Sequence, residues 1–192
     1  ARRKVNLGNL PTDITSVVIP GKSLNELNKI LEDTNNPVQI VLTNQQVLFK
    51  TDDVLFFSRL LEGNYPDTSR LIPDDYKTNV TINGKSLLQA IDRASLLARE
   101  DRNNVVRFET LKNDTIEVSS NSPEIGKVEE QIQVEALDGE ALKISFSAKY
   151  MMEALKAIDG QDVIIQFTGA MRPFILRSVA DDAILQLILP VR

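Results

Sequence analysis

The chain contains no cysteine and no histidine. Without cysteine there are no disulfides and no thiolate chemistry, a composition that suits a cytoplasmic protein. Without histidine the commonest general base and the commonest metal ligand are missing. Ser-His-Asp and Cys-His catalysis and histidine-based zinc sites are therefore excluded within these 192 residues. No stretch reaches the ~18 apolar residues of a membrane-spanning helix. The opening Ala1-Arg2-Arg3-Lys4 has no apolar run behind it, so no signal peptide is read there. Positive charge is also scarce. Lys and Arg number 22 against 27 Asp and Glu, and the net charge of −5 argues against a generic nucleic-acid binder.

What the chain does have is repetition. The stretches 21–31, 84–94 and 148–158 resemble one another, beginning Gly21-Lys22-Ser23-Leu24, Gly84-Lys85-Ser86-Leu87 and Ala148-Lys149-Tyr150-Met151. Each follows an apolar alternating run and precedes more of them. Their period is 63 and then 64 residues (84 − 21 and 148 − 84), so one supersecondary unit is used several times. The unit reads strand, helix, then three strands. Leu24, Leu27, Ile30 and Leu31 form one apolar stripe; Leu87, Ile91, Ala94 and Ala98 form the second, and Met151, Ala154, Leu155 and Ile158 the third. Ser23, Ser86 and Ser147 are expected to cap the helix starts, and Asp159-Gly160 to stop the third helix.

The charge is unevenly distributed. Segments 22–32, 85–100 and 148–158 hold seven basic and five acidic residues, or +2, which leaves −5 − 2 = −7 for the rest. Slightly basic helices on an acidic body can steer a polyanion to one surface. So small an excess implies weak, salt-sensitive binding.

The length fits about one or two domains. Ile14–Pro20 reads as a strand leading into the first helix. Val38–Leu42, Gln46–Lys50 and Val54–Leu61 follow as strands. Leu61 to Asp75 holds two prolines and a glycine and reads as a connector. Residues 1–73 then carry one repeat unit and 74–192 carry two. In the second part the expected strands are Asn79–Asn83, Val105–Leu111, Thr115–Ser120, Lys127–Val134, Leu142–Phe146, Val163–Thr168, Pro173–Val179 and Ala183–Leu189, with Asn113-Asp114 as a hairpin turn. One helix on three or four strands buries one sheet face, and a second unit is needed to close a core. The single unit in 1–73 is thus expected to be part of a larger domain, and the fold class is α+β.

The repeated unit, the connector Leu60-Leu61-Glu62-Gly63-Asn64-Tyr65-Pro66-Asp67 with Arg70, the stretch Arg93-Ala94-Ser95-Leu96-Leu97-Ala98, Asn121-Ser122-Pro123-Glu124 and the ending Leu187-Ile188-Leu189-Pro190-Val191-Arg192 together resemble the bacterial DNA sliding clamp, the beta subunit of DNA polymerase III. The resemblance runs from about Ser16 to Arg192. It implies a DNA-clamp fold with antiparallel sheets outside and helices on the inner face. Residues 1–73 would be the C-terminal part of the middle domain and 74–192 the C-terminal domain. The implied role is that of a non-catalytic, cofactor-free processivity factor in DNA replication. Such a factor encircles duplex DNA without sequence preference and tethers DNA polymerase III and other clamp-binding proteins, which dock as short linear peptides. A clamp loader is a further implied partner, and a membrane is not. The family's full-length chain is a head-to-tail homodimer. This chain lacks the first domain that completes that interface and is expected to be monomeric, with a peptide pocket incomplete at one subsite.

Carried over residue by residue, the resemblance assigns Pro66, Arg70, Leu71, Ser147, Tyr150, Met171, Pro173, Leu187, Leu189, Pro190, Val191 and Arg192 to the peptide pocket. Apolar walls with arginine at the rim suit leucine and phenylalanine anchors. It assigns Leu96, Leu97, Glu124, Glu129 and Glu130 to the subunit interface, and Lys22, Lys29, Arg93, Lys149 and Lys156 to the DNA-facing surface, where contacts would be to phosphates. By themselves these residues read more plainly: Leu187 and Leu189 as core, Pro66 and Pro173 as turns, the charged residues as solvated surface. Two other readings stand beside the resemblance. One is a repeat scaffold without a DNA role. The other is a Mg²⁺-dependent enzyme using Asp52-Asp53, Asp74-Asp75 and Asp181-Asp182, positions where Asp also serves as a turn former.

Overall fold

Two of the three repeats close on each other by exchanging their first strands. In the computed structural model, which describes residues 1–6, 16–63, 65–98, 104–159 and 162–191, the chain divides into two compact units. The larger comprises Ala1–Asn6 and Thr68–Arg192, the smaller Leu7–Asp67.

In the larger unit one repeat runs β5 (Thr78–Asn83), α2 (Gly84–Ala98), β6 (Val105–Thr110), β7 (Thr115–Ser122) and β8 (Gly126–Gln133). The next runs β10 (Lys143–Ser147), α3 (Ala148–Ala157), β11 (Asp162–Phe167), β12 (Phe174–Ser178) and β13 (Ile184–Ile188). The first strand of each repeat pairs with the other repeat: β5 lies antiparallel to β11, with Ile82 opposite Val163. Likewise β10 lies antiparallel to β6, with Phe146 opposite Val106. The result is a four-stranded sheet, β10-β6-β7-β8, and a six-stranded one, β1-β13-β12-β11-β5-β9. The latter is extended at its edges by β1 (Arg2–Arg3) and β9 (Ala136–Gly139). The terminal segment crosses back to the four-stranded sheet, where Pro190 bridges Phe146 and the Val191 N–H donates to the Ser145 carbonyl at 2.8 Å.

Both helices bury their predicted stripes. Leu87, Ile91 and Ala94 of α2 and Met151, Leu155 and Ile158 of α3 are buried in one continuous core. At its centre Phe108, Phe146, Phe174 and Phe167, two from each sheet, form a closed ring of tilted contacts with centroids 4.9–6.5 Å apart. Tilted and offset pairs are the arrangement aromatic quadrupoles favour. Asn113 and Asp114 both have positive φ (58° and 50°) at the β6–β7 turn, the left-handed region that Asn and Asp tolerate better than most side chains. Gly139 ends β9 at φ +107°, where a Cβ would stand 1.9 Å from the Lys77 carbonyl oxygen. Only glycine fits.

The smaller unit holds one repeat: α1 (Gly21–Ile30), β2 (Gln39–Leu42), β3 (Gln46–Lys50) and β4 (Leu55–Arg59) in a three-stranded antiparallel sheet. Its buried core comprises Leu27, Val47 and Phe49, flanked by half-buried Ile19, Leu31, Phe56 and Leu60.

Several sequence expectations change. Ser16–Pro20 is not in a strand, although Val18 accepts a backbone hydrogen bond from Leu61; Ile14 and Thr15 lie outside the described residues. The serines do not cap. The first two helices begin at Gly21 and Gly84, which places Ser23 and Ser86 inside the first turn. Ser23 instead accepts a hydrogen bond from the Ser58 hydroxyl. The Asn83 side chain caps α2 by accepting from the Ser86 N–H at 3.0 Å. Ser147 stands at the N-cap of α3 without a side-chain cap bond. Asp159, at φ +61°, ends α3 in the left-handed conformation; Gly160 is outside the described residues. The compact units divide at Asp67, ahead of the boundary expected at Pro73, and residues 1–6 join the larger unit because β1 pairs with β13.

Candidate functional site

The connector leaves the smaller unit at Asp67 and enters the larger one as a 3₁₀ turn, Ser69–Leu71. Tyr76 fixes the segment that follows by donating to the Pro73 carbonyl at 2.5 Å. Across from it lies the β11–β12 turn, where the Thr168 hydroxyl donates to the Pro173 carbonyl. Between them is an open cavity of about 450 Å³ lined by Arg70, Leu71, Pro73, Asp74, Asp75, Lys77, Thr168, Arg172 and Pro173. Three of the assigned pocket residues, Arg70, Leu71 and Pro173, therefore meet at one cavity.

The others arrange around it or lie elsewhere. Met171 is in the same β11–β12 turn. Leu187 pairs with Ile175 on the neighbouring strand. Leu189 leads to Pro190 and Val191, which dock on the end of β10. That strand runs directly into Ser147 and Tyr150. Leu71, Tyr150, Met171 and Leu189 are each between 56 and 63% exposed, large apolar side chains of the larger unit presented to solvent. Their exposure sets them apart from the buried core of the larger unit. Pro66 is exposed and belongs to the smaller unit. Arg192 lies outside the described residues. Asp74, Asp75, Lys77, Thr168 and Arg172 line the cavity without having been assigned to it; Arg172, between Met171 and Pro173, had a signal in its neighbours.

The assigned interface residues collect along one edge. Leu96, more than half exposed, and half-buried Leu97 end helix α2, which packs against β8, the edge strand carrying Glu129 and Glu130; Glu124 is exposed just before it. Glu129 forms an ion pair with Lys127. Glu130 takes a bidentate bridge from Arg93, Nε to Oε2 at 2.9 Å and Nη2 to Oε1 at 2.5 Å. The hydrogen bonds from Arg93 hold the Glu130 carboxyl below its ordinary value, against the opposing effect of its partial desolvation. One residue assigned to the DNA-facing set and one assigned to the interface are thus partners. Among the other assigned cations, Lys29 pairs with Glu26 at 2.8 Å. Lys22, Lys149 and Lys156 are exposed and make no ion pair among the described residues.

The sequence of residues 69–192 matches the family model for the DNA polymerase III beta subunit, C-terminal domain, and residues 1–67 match the model for its central domain. The chain belongs to the DNA polymerase III beta subunit family. It is 60% identical to the beta sliding clamp of Bacillus subtilis over the whole chain and 51% of that protein's length. It is 50% identical to that of Staphylococcus aureus, again over the whole chain and 50% of the relative. It therefore spans about half the length of the curated relatives it matches. Its structure superimposes on the crystal structure of the B. subtilis sliding clamp with a TM-score of 0.93, covering 99% of this chain and 50% of that one. A Pseudomonas aeruginosa sliding clamp bound to griselimycin aligns at 26% identity and a TM-score of 0.85 over 92% of this chain and 47% of its own. The fold is that of a DNA clamp. The two family models meet beside Asp67 and Thr68, where the compact units also divide. They differ over residues 1–6, which match the central-domain model in sequence and pair with β13 in space. Asp181 accepts a hydrogen bond from the Ala183 N–H and faces Arg3. Among the described residues no three carboxylates gather into a metal-binding group.

Proposed function

We propose that this chain is the peptide-docking half of a replication processivity factor, with no catalysis and no cofactor of its own. The observation that carries this is the meeting of Arg70, Leu71 and Pro173 at one cavity beside exposed Met171, in a chain of the sliding-clamp family. Residues 1–67 act as part of the middle domain and 68–192 as the C-terminal domain, the boundary lying six residues ahead of the one expected at Pro73. The cavity and the apolar residues around it take short linear peptides from DNA polymerase III and other clamp-binding proteins, with leucine and phenylalanine anchors against Leu71, Met171 and Leu189. In the whole protein, a cytoplasmic head-to-tail homodimer opened by a clamp loader, Leu96, Leu97, Glu124, Glu129 and Glu130 serve the ring interface. Lys22, Lys29, Lys149 and Lys156 face duplex DNA, and Arg93 does so through a side chain already tied to Glu130. Phosphate contacts of this kind carry no base information, which is what a ring that slides requires.

Fluorescence anisotropy of a labelled Gln-Leu-x-Leu-Phe peptide tests the docking role. Saturable binding is expected, weakened about tenfold or more by Arg70→Ala combined with Met171→Asp, since anchor pockets concentrate binding energy. Binding unaffected by that pair would reject the assigned pocket.

A further inference from the structure

Few side chains of this protein can be oxidised by a peroxide. The chain has no cysteine and no tryptophan, and three methionines, Met151, Met152 and Met171. A thioether must be reached by the peroxide to react, and the fold sorts the three by access. Met151 is fully buried in the core of the larger unit, and Met152, the next residue of α3, is half-buried against that core. Met171 is 57% exposed. It stands in the tight β11–β12 turn, where the Arg172 N–H donates to the Gly169 carbonyl at 3.3 Å and the Thr168 hydroxyl to the Pro173 carbonyl at 3.4 Å. Both strands that carry the turn are inner strands of the six-stranded sheet, β11 between β12 and β5, and β12 between β11 and β13. The exposure is thus that of a hairpin tip on a unit whose core its own two repeats close. Arg172 and Pro173, which follow Met171 directly, line the docking cavity.

We propose that Met171 is a site of reversible oxidation by hydrogen peroxide, and that its sulfoxide releases docked peptides. The switch rests on the docking role proposed above; the site of oxidation does not. The Met171 sulfur attacks one peroxide oxygen with a lone pair. The S–O bond forms as the O–O bond breaks, and the departing hydroxide takes up a proton to leave as water. Sulfur gives up two electrons and the peroxide gains them. A flexible apolar side chain, able to mould itself to leucine and phenylalanine anchors, becomes a polar and chiral one. Pressed against an apolar anchor, the sulfoxide oxygen loses its water without gaining a donor, which opposes docking. Reversal takes two thiols, which become a disulfide while the oxygen leaves as water. The chain has no thiol of its own, so a separate thiol-dependent reductase supplies them.

A time course of the full chain in dilute hydrogen peroxide tests both parts. Peptide mapping by mass spectrometry locates the added oxygen, and anisotropy of the labelled Gln-Leu-x-Leu-Phe peptide follows docking in the same samples. Met171 is expected to gain one oxygen first, with Met151 unchanged, and the peptide Kd to rise about tenfold in step with it. Methionine sulfoxide reductase with dithiothreitol should restore the starting affinity. Each variant is compared with its own untreated sample: Met152→Leu should keep the response to peroxide and Met171→Leu should lose it. Oxidation of Met151 or Met152 ahead of Met171 overturns the proposal. So does complete conversion of Met171 with an unchanged Kd, or a peroxide response in Met171→Leu as large as in the unsubstituted chain. An untreated chain that does not bind the peptide rejects the docking role and the switch with it, and the mass spectra then still decide whether Met171 is the favoured site.

Discussion

Glu130 and Arg93 sit 37 residues apart in sequence, and their bridge ties the exposed flank of α2 to the edge strand β8. The carboxyl is held below its ordinary value first by the Arg93 hydrogen bonds and secondarily by the Arg93 charge, with desolvation opposing. A carboxyl depressed in the folded state stabilises that state above its unfolded pKa of about 4.3 and loses the contribution as pH falls through the lower folded value. Glu130→Gln should therefore lower the melting temperature slightly at about pH 7, and the difference should shrink as pH falls below the ordinary carboxylate range toward the lower folded value. A calorimetric difference between the two proteins that persisted at the acid end would show that packing, not charge, supports the pair. Local patterning cannot reveal this partnership. The repeat period places Arg93 on a helix and Glu130 on a strand, but only the α2–β8 crossing makes them neighbours. The same holds for Lys77 and Arg172, which the fold brings to the cavity from segments far apart in the chain.

Element types were legible because the apolar periods are clear, and most strand ends fall within a residue or two of where alternation stops. The elements that sequence missed are short and depend on tertiary partners. β9, Ala136-Leu137-Asp138-Gly139, has no apolar alternation and exists as a strand because β5 offers it an edge. The 3₁₀ turn at Ser69–Leu71 likewise has no period to read. The helix starts were legible, but the caps of the first two helices were misplaced by about one turn. Serine is a common cap, yet in α2 the capping group is Asn83, whose amide also donates to Asp162 at 2.9 Å. Asn83→Ala removes both bonds and should destabilise the larger unit by about 1–2 kcal/mol, the usual cost of losing a cap. Ser86→Ala leaves the cap acceptor in place and should cost less. Urea unfolding followed at 222 nm ranks the two, and the reverse order would return the capping role to Ser86.

The closure of one repeat by another was readable only as a need: the helix stripes called for a second unit but did not say that first strands would be exchanged. That exchange makes the chain uneven in stability. In the larger unit two sheets and two helices enclose one continuous core with four phenylalanines in contact. In the smaller unit Leu27, Val47 and Phe49 are the buried apolar residues among those described. Local opening free energies follow the apolar area each segment buries, so the two units should not unfold together. Hydrogen exchange read by mass spectrometry should show β3 amides exchanging at lower urea than those of β7 and β11, in two separate transitions. A single transition covering β3, β7 and β11 would show that the two units unfold as one and that the difference in buried apolar area does not set their stabilities apart.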